Sequence, residues 1–188
     1  MNAVLSDPIR LGMIEAGNRI LMAPLTRSRA SADGVPGRST ATYYAQRASA
    51  GMIVSEGICI APEAIGNPMV PGLWSQAQID AWQSVTTAVH EAGGVMAAQL
   101  WHTGRASHPS VQPEGQLPVG PSPIAIDGLT FARNGRTPYV TPRALDAGEI
   151  PQIVGHYASV AANAREAGFD AVELHSANGY LVDQFLQD

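Results

Sequence analysis

Apolar positions along the chain follow two alternating rhythms. Four nearly unbroken apolar runs stand out: Arg19-Ile20-Leu21-Met22-Ala23-Pro24-Leu25, Met52 to Ile60, Val95 to Trp101, and Ala171 to Leu174. Such runs read as strands buried on both faces, while the short fourth reads as a mostly apolar strand. Between them the spacing changes to three and four residues. Ser39-Thr40 offers an N-cap for a helix from Ala41 to Ala50 that stops at Gly51. Ser75-x-x-Gln78 has the form of a capping box, followed by Trp82, Val85, Ala88 and Val89 on one helical face and by Gly93-Gly94 as a stop. Asp146-x-x-Glu149 opens a third helix, with Ile150, Ile153, Val154, Tyr157, Val160, Ala161 and Ala164 on its apolar face and Gly168 closing it. Leu181 to Leu186 starts a fourth. Strand and helix therefore alternate four times, the pattern of a parallel α/β sheet. No glycine fingerprint follows the first strand, where the sequence is Met22-Ala23-Pro24-Leu25-Thr26, so a doubly wound dinucleotide fold is disfavoured.

Two segments break the rhythm. Residues 1–18 hold short extended pieces and the turn signals Asp7-Pro8 and Gly17-Asn18, which suit a small hairpin ahead of the first strand. Residues 102–145 are rich in Pro and Gly and carry weak strand signals at Thr130-Phe131-Ala132 and Tyr139-Val140-Thr141. They read as an excursion with its own hairpin over the mouth of the fold. No linker or repeat divides residues 1–188, which read as part of one domain.

Composition narrows the chemistry. With 188 residues, 45% of them hydrophobic, and mean hydropathy near zero, the chain is of ordinary soluble globular type. A net charge of −5 gives no sign of nucleic acid or an anionic membrane as partner. All 11 basic residues are Arg, which excludes a lysine Schiff base and a P-loop lysine. The single cysteine, Cys59, lies in an apolar run and reads as a buried thiol; a disulfide framework or a metal site built from this chain's cysteines is excluded. No metal-ligand spacing appears, and His102 and His108 read as ordinary loop histidines. The first residues lack a basic segment followed by an apolar core, and no run is long enough to span a membrane. Cytoplasm is the expected location.

Chemistry concentrates near the last strand, in His175-Ser176-Ala177-Asn178-Gly179-Tyr180. Taken singly, His175 reads as a core histidine and Tyr180 as a packing residue. Together with Asn178 they place three hydrogen-bond donors within six residues at a strand's carboxyl end, where a (β/α) barrel carries its active site. The stretch resembles the fourth βα unit of the Old Yellow Enzyme family, the FMN-dependent ene-reductases: a His-x-x-Asn pair, then Gly-Tyr, then Leu-x-x-Gln-Phe-Leu.

The resemblance implies a (β/α)8 TIM barrel. This chain would supply the first four βα units, the N-terminal hairpin and the long excursion after the third strand. It further implies that the Pro24 and Leu25 backbone runs under the FMN ring system and that Thr26 donates to a flavin carbonyl. Gly57 would bring its N–H to the flavin, and Gln99 would bond the pyrimidine edge. Trp101 would be a pocket wall. NADH or NADPH would reduce FMN, and an electron-poor alkene would then bind with its oxygen against His175 and Asn178 while Tyr180 protonates carbon. In the loop after the second strand, where many relatives carry an aromatic residue, this chain has Asn67, so an aromatic wall of the substrate pocket is missing. The resemblance covers only the first half of the family's length and says nothing of an iron–sulfur site in a carboxyl half. The alternative reading is an inactive half-barrel, or one part of a split or fused flavoprotein paired with a complementary chain or a second copy. A dihydroorotate dehydrogenase-like barrel is disfavoured, because it gives His175, Asn178 and Tyr180 no role.

Overall fold

The structure is a computed structural model that describes residues 4–133 and 135–187. The first three residues of the leader reading, and Asp188, lie outside the described residues. In chain order come β1 (Ile9–Leu11), β2 (Ile14–Ala16), β3 (Leu21–Met22), α1 (Arg38–Ala45), β4 (Met52–Cys59), α2 (Gln76–Glu91) and β5 (Met96–Trp101). The excursion contributes β6 (Val119–Gly120), β7 (Leu129–Ala132), β8 (Gly135–Pro138) and β9 (Arg143–Ala144). Then follow α3 (Ile150–Glu166), β10 (Ala171–Leu174) and α4 (Leu181–Leu186). The main sheet runs β3-β4-β5-β10, every neighbour parallel. β1 and β2 form the expected hairpin, turning at Gly12.

β4 and β5 are the sheet's centre and are buried on both faces, as their apolar runs predict. α2 covers one face. Its N-terminus is fixed by the capping box: Ser75 Oγ accepts from the Gln78 N–H, and Gln78 Oε1 accepts from the Ser75 N–H at 3.1 Å. Trp82 is fully buried between Tyr44 and Phe169 and donates its indole N–H to the Gly72 carbonyl at 3.1 Å. α3 ends at Gly168 with φ +84°, the left-handed position that lets the chain turn into β10.

β4 carries an extra residue. Val54 pairs with Ala97 but Gly57 pairs with Gln99, so three steps along β4 match two along β5. This bulge falls on Ser55-Glu56, the polar pair in an otherwise apolar run. Its loose ladder groups find side chains instead: the Gln99 N–H donates to Ser55 Oγ at 3.0 Å, and the Glu56 N–H donates to the Tyr44 hydroxyl at 2.8 Å.

Several expectations are corrected. The first barrel strand pairs only at Leu21–Met22, because Pro24 has no N–H for the ladder and the bulge takes β4 out of register beyond Val54. It is also an edge strand, so Ile20 and Leu21 are half exposed. The first helix spans Arg38–Ala45 with Gly37 at its N-cap. Gly51 therefore does not stop it; the Gly51 N–H is held by Asn18 Oδ1 and the Ile20 carbonyl, and a side chain there would strike Asn18. The excursion's second strand is Gly135–Pro138 rather than Tyr139–Thr141, since Ala132 pairs with Gly135 and Leu129 with Pro138. Ile150 and Val154 on the predicted apolar face of α3 are exposed, and β10, the other edge, is mostly exposed.

His102 is the largest correction. It is fully buried, its Nδ1 accepts from the Gly104 N–H at 3.0 Å, and its carbonyl accepts from the Leu181 N–H. Burial holds its pKa down at about 3, helped by the nearby His156. His108 instead caps a short 3₁₀ turn by accepting from the Ser110 N–H. Cys59 is buried, as expected.

Two outcomes follow from this architecture. A histidine whose folded pKa lies below its ordinary 6.5 binds fewer protons folded than unfolded, so stability rises with pH in that window. Unfolding free energy should fall as pH drops from about 6.5 toward about 3, by an amount on the order of a few kcal/mol. Urea titrations from pH 7 to pH 4 on the parent and on His102→Gln check this: the variant should show a flatter dependence. Second, β3 and β10 leave ladder groups unpaired at both sheet edges, beside half-exposed Leu21, Val172 and Leu174. A polypeptide confined to residues 1–188 should therefore associate. A clean 19.7 kDa monomer in size-exclusion chromatography with light scattering would contradict this.

Candidate active site

Strand register decides which side chains meet. Gly57, Gln99 and Glu173 sit side by side on β4, β5 and β10. Two residues further toward the carboxyl ends come Trp101 and His175, which face the same way because side chains alternate along a strand. Pro24 and Thr26 close the cleft from the first strand's side, and Ser176, Ala177, Asn178 and Tyr180 close it from the loop after β10. The cleft measures about 500 Å³, within the ordinary range for a small-molecule site.

The loop after β10 is shaped by two consecutive left-handed residues, Asn178 at φ +60° and Gly179 at φ +73°. Asparagine and glycine are the residues that tolerate this backbone. The turn brings the His175 and Tyr180 rings edge to face at 4.9 Å, with Trp101 completing the group at 5.0 Å from Tyr180 and 6.3 Å from His175. Partial burial pushes the His175 pKa below its ordinary value, against the opposite pull of Glu173 and Asp183. The imidazole is then neutral near pH 7 and keeps one N–H to donate. Burial, with Tyr139 of the excursion adding to it, pushes the Tyr180 hydroxyl up, so it stays protonated.

Gln184 ties this loop to the one after β5. Its Nε2 donates to the carbonyls of Thr103 and Gly179, and its Oε1 accepts from the Arg105 N–H. Asp183 accepts from the Gly179 N–H at 2.7 Å. The Gln184 amide thus positions Tyr180 through backbone, which its place in Leu-x-x-Gln-Phe-Leu did not reveal.

Of the residues singled out by sequence, Pro24, Thr26, Gly57, Gln99, Trp101, His175, Asn178 and Tyr180 line this one cleft. Two do not. The Leu25 side chain points to solvent. Asn67 lies on a separate cleft with Ile65, Met69, Val111 and Arg133, because its loop folds back on the 103–107 turn, where Gly66 packs against Thr103. Glu173 was missed: it lines the cleft and accepts from Gln99 Nε2 at 2.8 Å. A lone acid in a strand otherwise apolar was its signal. Gly57 also has a second reason to be small. A Cβ there would lie 2.6 Å from the Trp101 ring, so the glycine makes room for the indole.

The sequence profile of the NADH:flavin oxidoreductase / NADH oxidase family matches residues 4–188. The 12-oxophytodienoate reductase 7 of Oryza sativa subsp. japonica is 45% identical over 190 residues, covering 99% of this chain and 48% of that reductase. Among solved structures, the old yellow enzyme homologue from Zymomonas mobilis is 50% identical with a TM-score of 0.96, covering 99% of this chain and 52% of that one. Morphinone reductase in complex with tetrahydroNAD is 49% identical with a TM-score of 0.94, covering 98% and 52%. The chain spans about half the length of the curated relatives it matches. Its four-stranded sheet is a partial (β/α) barrel of the old yellow enzyme type.

The Gly57–Trp101 contact predicts the effect of one methyl group. Gly57→Ala should displace the indole and destabilise the fold by about 1–3 kcal/mol, the usual cost of overpacking. Chemical denaturation reads the loss. A change in tryptophan emission that disappears in a Trp101→Phe background would locate it; unchanged stability and emission would mean the indole is not held there.

Proposed function

The chain belongs to the NADH:flavin oxidoreductase / NADH oxidase family, and we propose that it carries the substrate-binding and proton-donating half of an FMN-dependent, NAD(P)H-driven ene-reductase. One observation carries the reading: His175, Asn178 and Tyr180 face the same cleft as Thr26, Gly57 and Gln99. Polar groups lie low in that cleft and an aromatic wall stands above them, a lining that fits a flat heterocycle with polar edges.

The residues that would hold FMN are the Pro24 and Leu25 backbone, Thr26, Gly57 and Gln99. Thr26 would donate to a ring carbonyl. Gln99 presents both donor and acceptor on one amide, as an alternating pyrimidine edge requires. Glu173 holds the Nε2 end of that amide, which leaves the Gln99 carbonyl oxygen free to accept. When bound, FMN supplies hydride transfer from NAD(P)H and to the β-carbon of an electron-poor alkene.

The remaining work belongs to this chain. The neutral His175 and the Asn178 amide would donate to the alkene's carbonyl or nitro oxygen and stabilise the negative charge that develops there. Tyr180, held in its protonated form by burial, would deliver a proton to the α-carbon. Morphinone reductase binding tetrahydroNAD supports a nicotinamide as donor. A second reading, that residues 1–188 on their own do not turn over, is favoured by the two open sheet edges.

Stopped-flow measurement of the two half-reactions in the holoprotein tests the roles. His175→Ala should slow alkene reduction by about 10²–10³, the usual cost of one such donor, and weaken binding of enone or phenolic ligands. Tyr180→Phe should slow the alkene half-reaction and spare flavin reduction. Equal slowing of both halves by Tyr180→Phe would remove its assignment as proton donor.

A further inference from the structure

A buried carboxylate behind the cleft has no part in the chemistry above. Glu56 is 3% exposed and lies in the β4 bulge. A fully buried acid is costly unless its oxygens are bonded, so the partners it keeps indicate its use. Its Oε2 accepts from the Arg27 N–H at 3.1 Å. The bulge makes this reach available: by releasing the Glu56 N–H to the Tyr44 hydroxyl, it turns Glu56 out of the β5 ladder and toward the neighbouring segment.

That segment needs holding. The β3–β4 ladder ends at Met22 opposite Ile53, Pro24 has no N–H to continue it, and residues 23–29 form no regular element. Ser28 sits at φ +50°, a backbone conformation disfavoured for a residue with a side chain. The Arg27 guanidinium lies over the Tyr43 ring, 3.2 Å from its centroid, so α1 grips the same residue from its other end. Thr26, on the cleft, is bonded directly to the residue that Glu56 and Tyr43 hold.

We infer that Glu56 is a positioning residue: its carboxylate, by fixing the Arg27 amide, sets Thr26 at the height in the cleft from which Thr26 can reach the flavin. This rests on the reading of Thr26 as a donor to the cofactor. The operative feature is the reach of an acceptor oxygen rather than its charge. Gln has that reach without the charge, and Asp has the charge without the reach.

The experiment is a potentiometric titration of the FMN-loaded holoprotein and of four variants: Thr26→Ala, Glu56→Asp, Glu56→Gln, and the Glu56→Asp/Thr26→Ala double. Loss of the Thr26 donor makes reduced flavin harder to form, so Thr26→Ala should lower the midpoint potential. Glu56→Asp should lower it in the same direction and raise the FMN dissociation constant roughly tenfold, the scale of one lost hydrogen bond. The double variant should lie no lower than Thr26→Ala alone, the non-additivity expected when two residues act through one contact. Glu56→Gln should titrate like the parent. If Thr26→Ala lowers the potential while Glu56→Asp does not, the inference is overturned and the reading of Thr26 stands. If Glu56→Gln shifts the potential and Glu56→Asp does not, Glu56 acts through its charge and the inference is likewise overturned. If Thr26→Ala leaves the potential unchanged, Thr26 is no donor and both ideas fall. Should Glu56→Asp not fold, Glu56→Gln decides alone: a parental potential supports the inference and a shifted one overturns it.

Discussion

The site depends on lateral register between strands. Three parallel strands bring Gly57, Gln99 and Glu173 to one level, and the next inward-facing level carries Trp101 and His175. The bulge in β4 is part of that alignment. Without its extra residue, every β4 side chain beyond Val54 would change faces, because a slip of one residue inverts a strand. Gly57 would then turn away from the cleft and leave the Trp101 indole without its space. The bulge's polar groups are bonded to Tyr44, Ser55 and Gln99, so the irregularity is fixed by specific contacts.

Burial does most of the electrostatic work. The cleft has no cationic side chain among its lining residues. Its donors are neutral groups kept neutral by desolvation: His175 is pushed down and Tyr180 up from their ordinary values. A carboxylate, Glu173, stands one level below and engages Gln99. This arrangement suits a reaction in which negative charge develops on a ligand oxygen and a proton must be held until it is needed.

Much of this was legible in the sequence. The runs that became β4 and β5 are buried on both faces, the Ser75 capping box formed, and Gly168 adopted the left-handed backbone its position required. Eight of the ten residues singled out for the site line one cleft. What failed did so for tertiary reasons. Apolar periodicity cannot tell a central strand from an edge strand, so β3 looked as buried as β4. Loop paths carry no periodicity, which is why Asn67 was drawn toward a cleft that its loop folds away from. His102 in Trp-His-Thr-Gly-Arg looked like an ordinary loop histidine, yet its ring nitrogen closes a buried turn. Glu56 passed as one member of an apolar run, because its partner, a backbone N–H 29 residues earlier, leaves no mark in sequence.

The Gln184 amide occupies the space that a side chain on Gly104 would need, and Gly104 has φ +60°. The two positions, 80 apart along the chain, therefore share one volume, and neither can drift alone. A larger residue at 104 evicts the amide that ties Thr103, Arg105 and Gly179 together; a smaller residue at 184 leaves three backbone groups without partners. In a library built to broaden the cleft, these positions are best frozen or varied as a pair. Diversity placed at Trp101 or Asn178 instead would alter the walls while leaving intact the joint on which both loops hang.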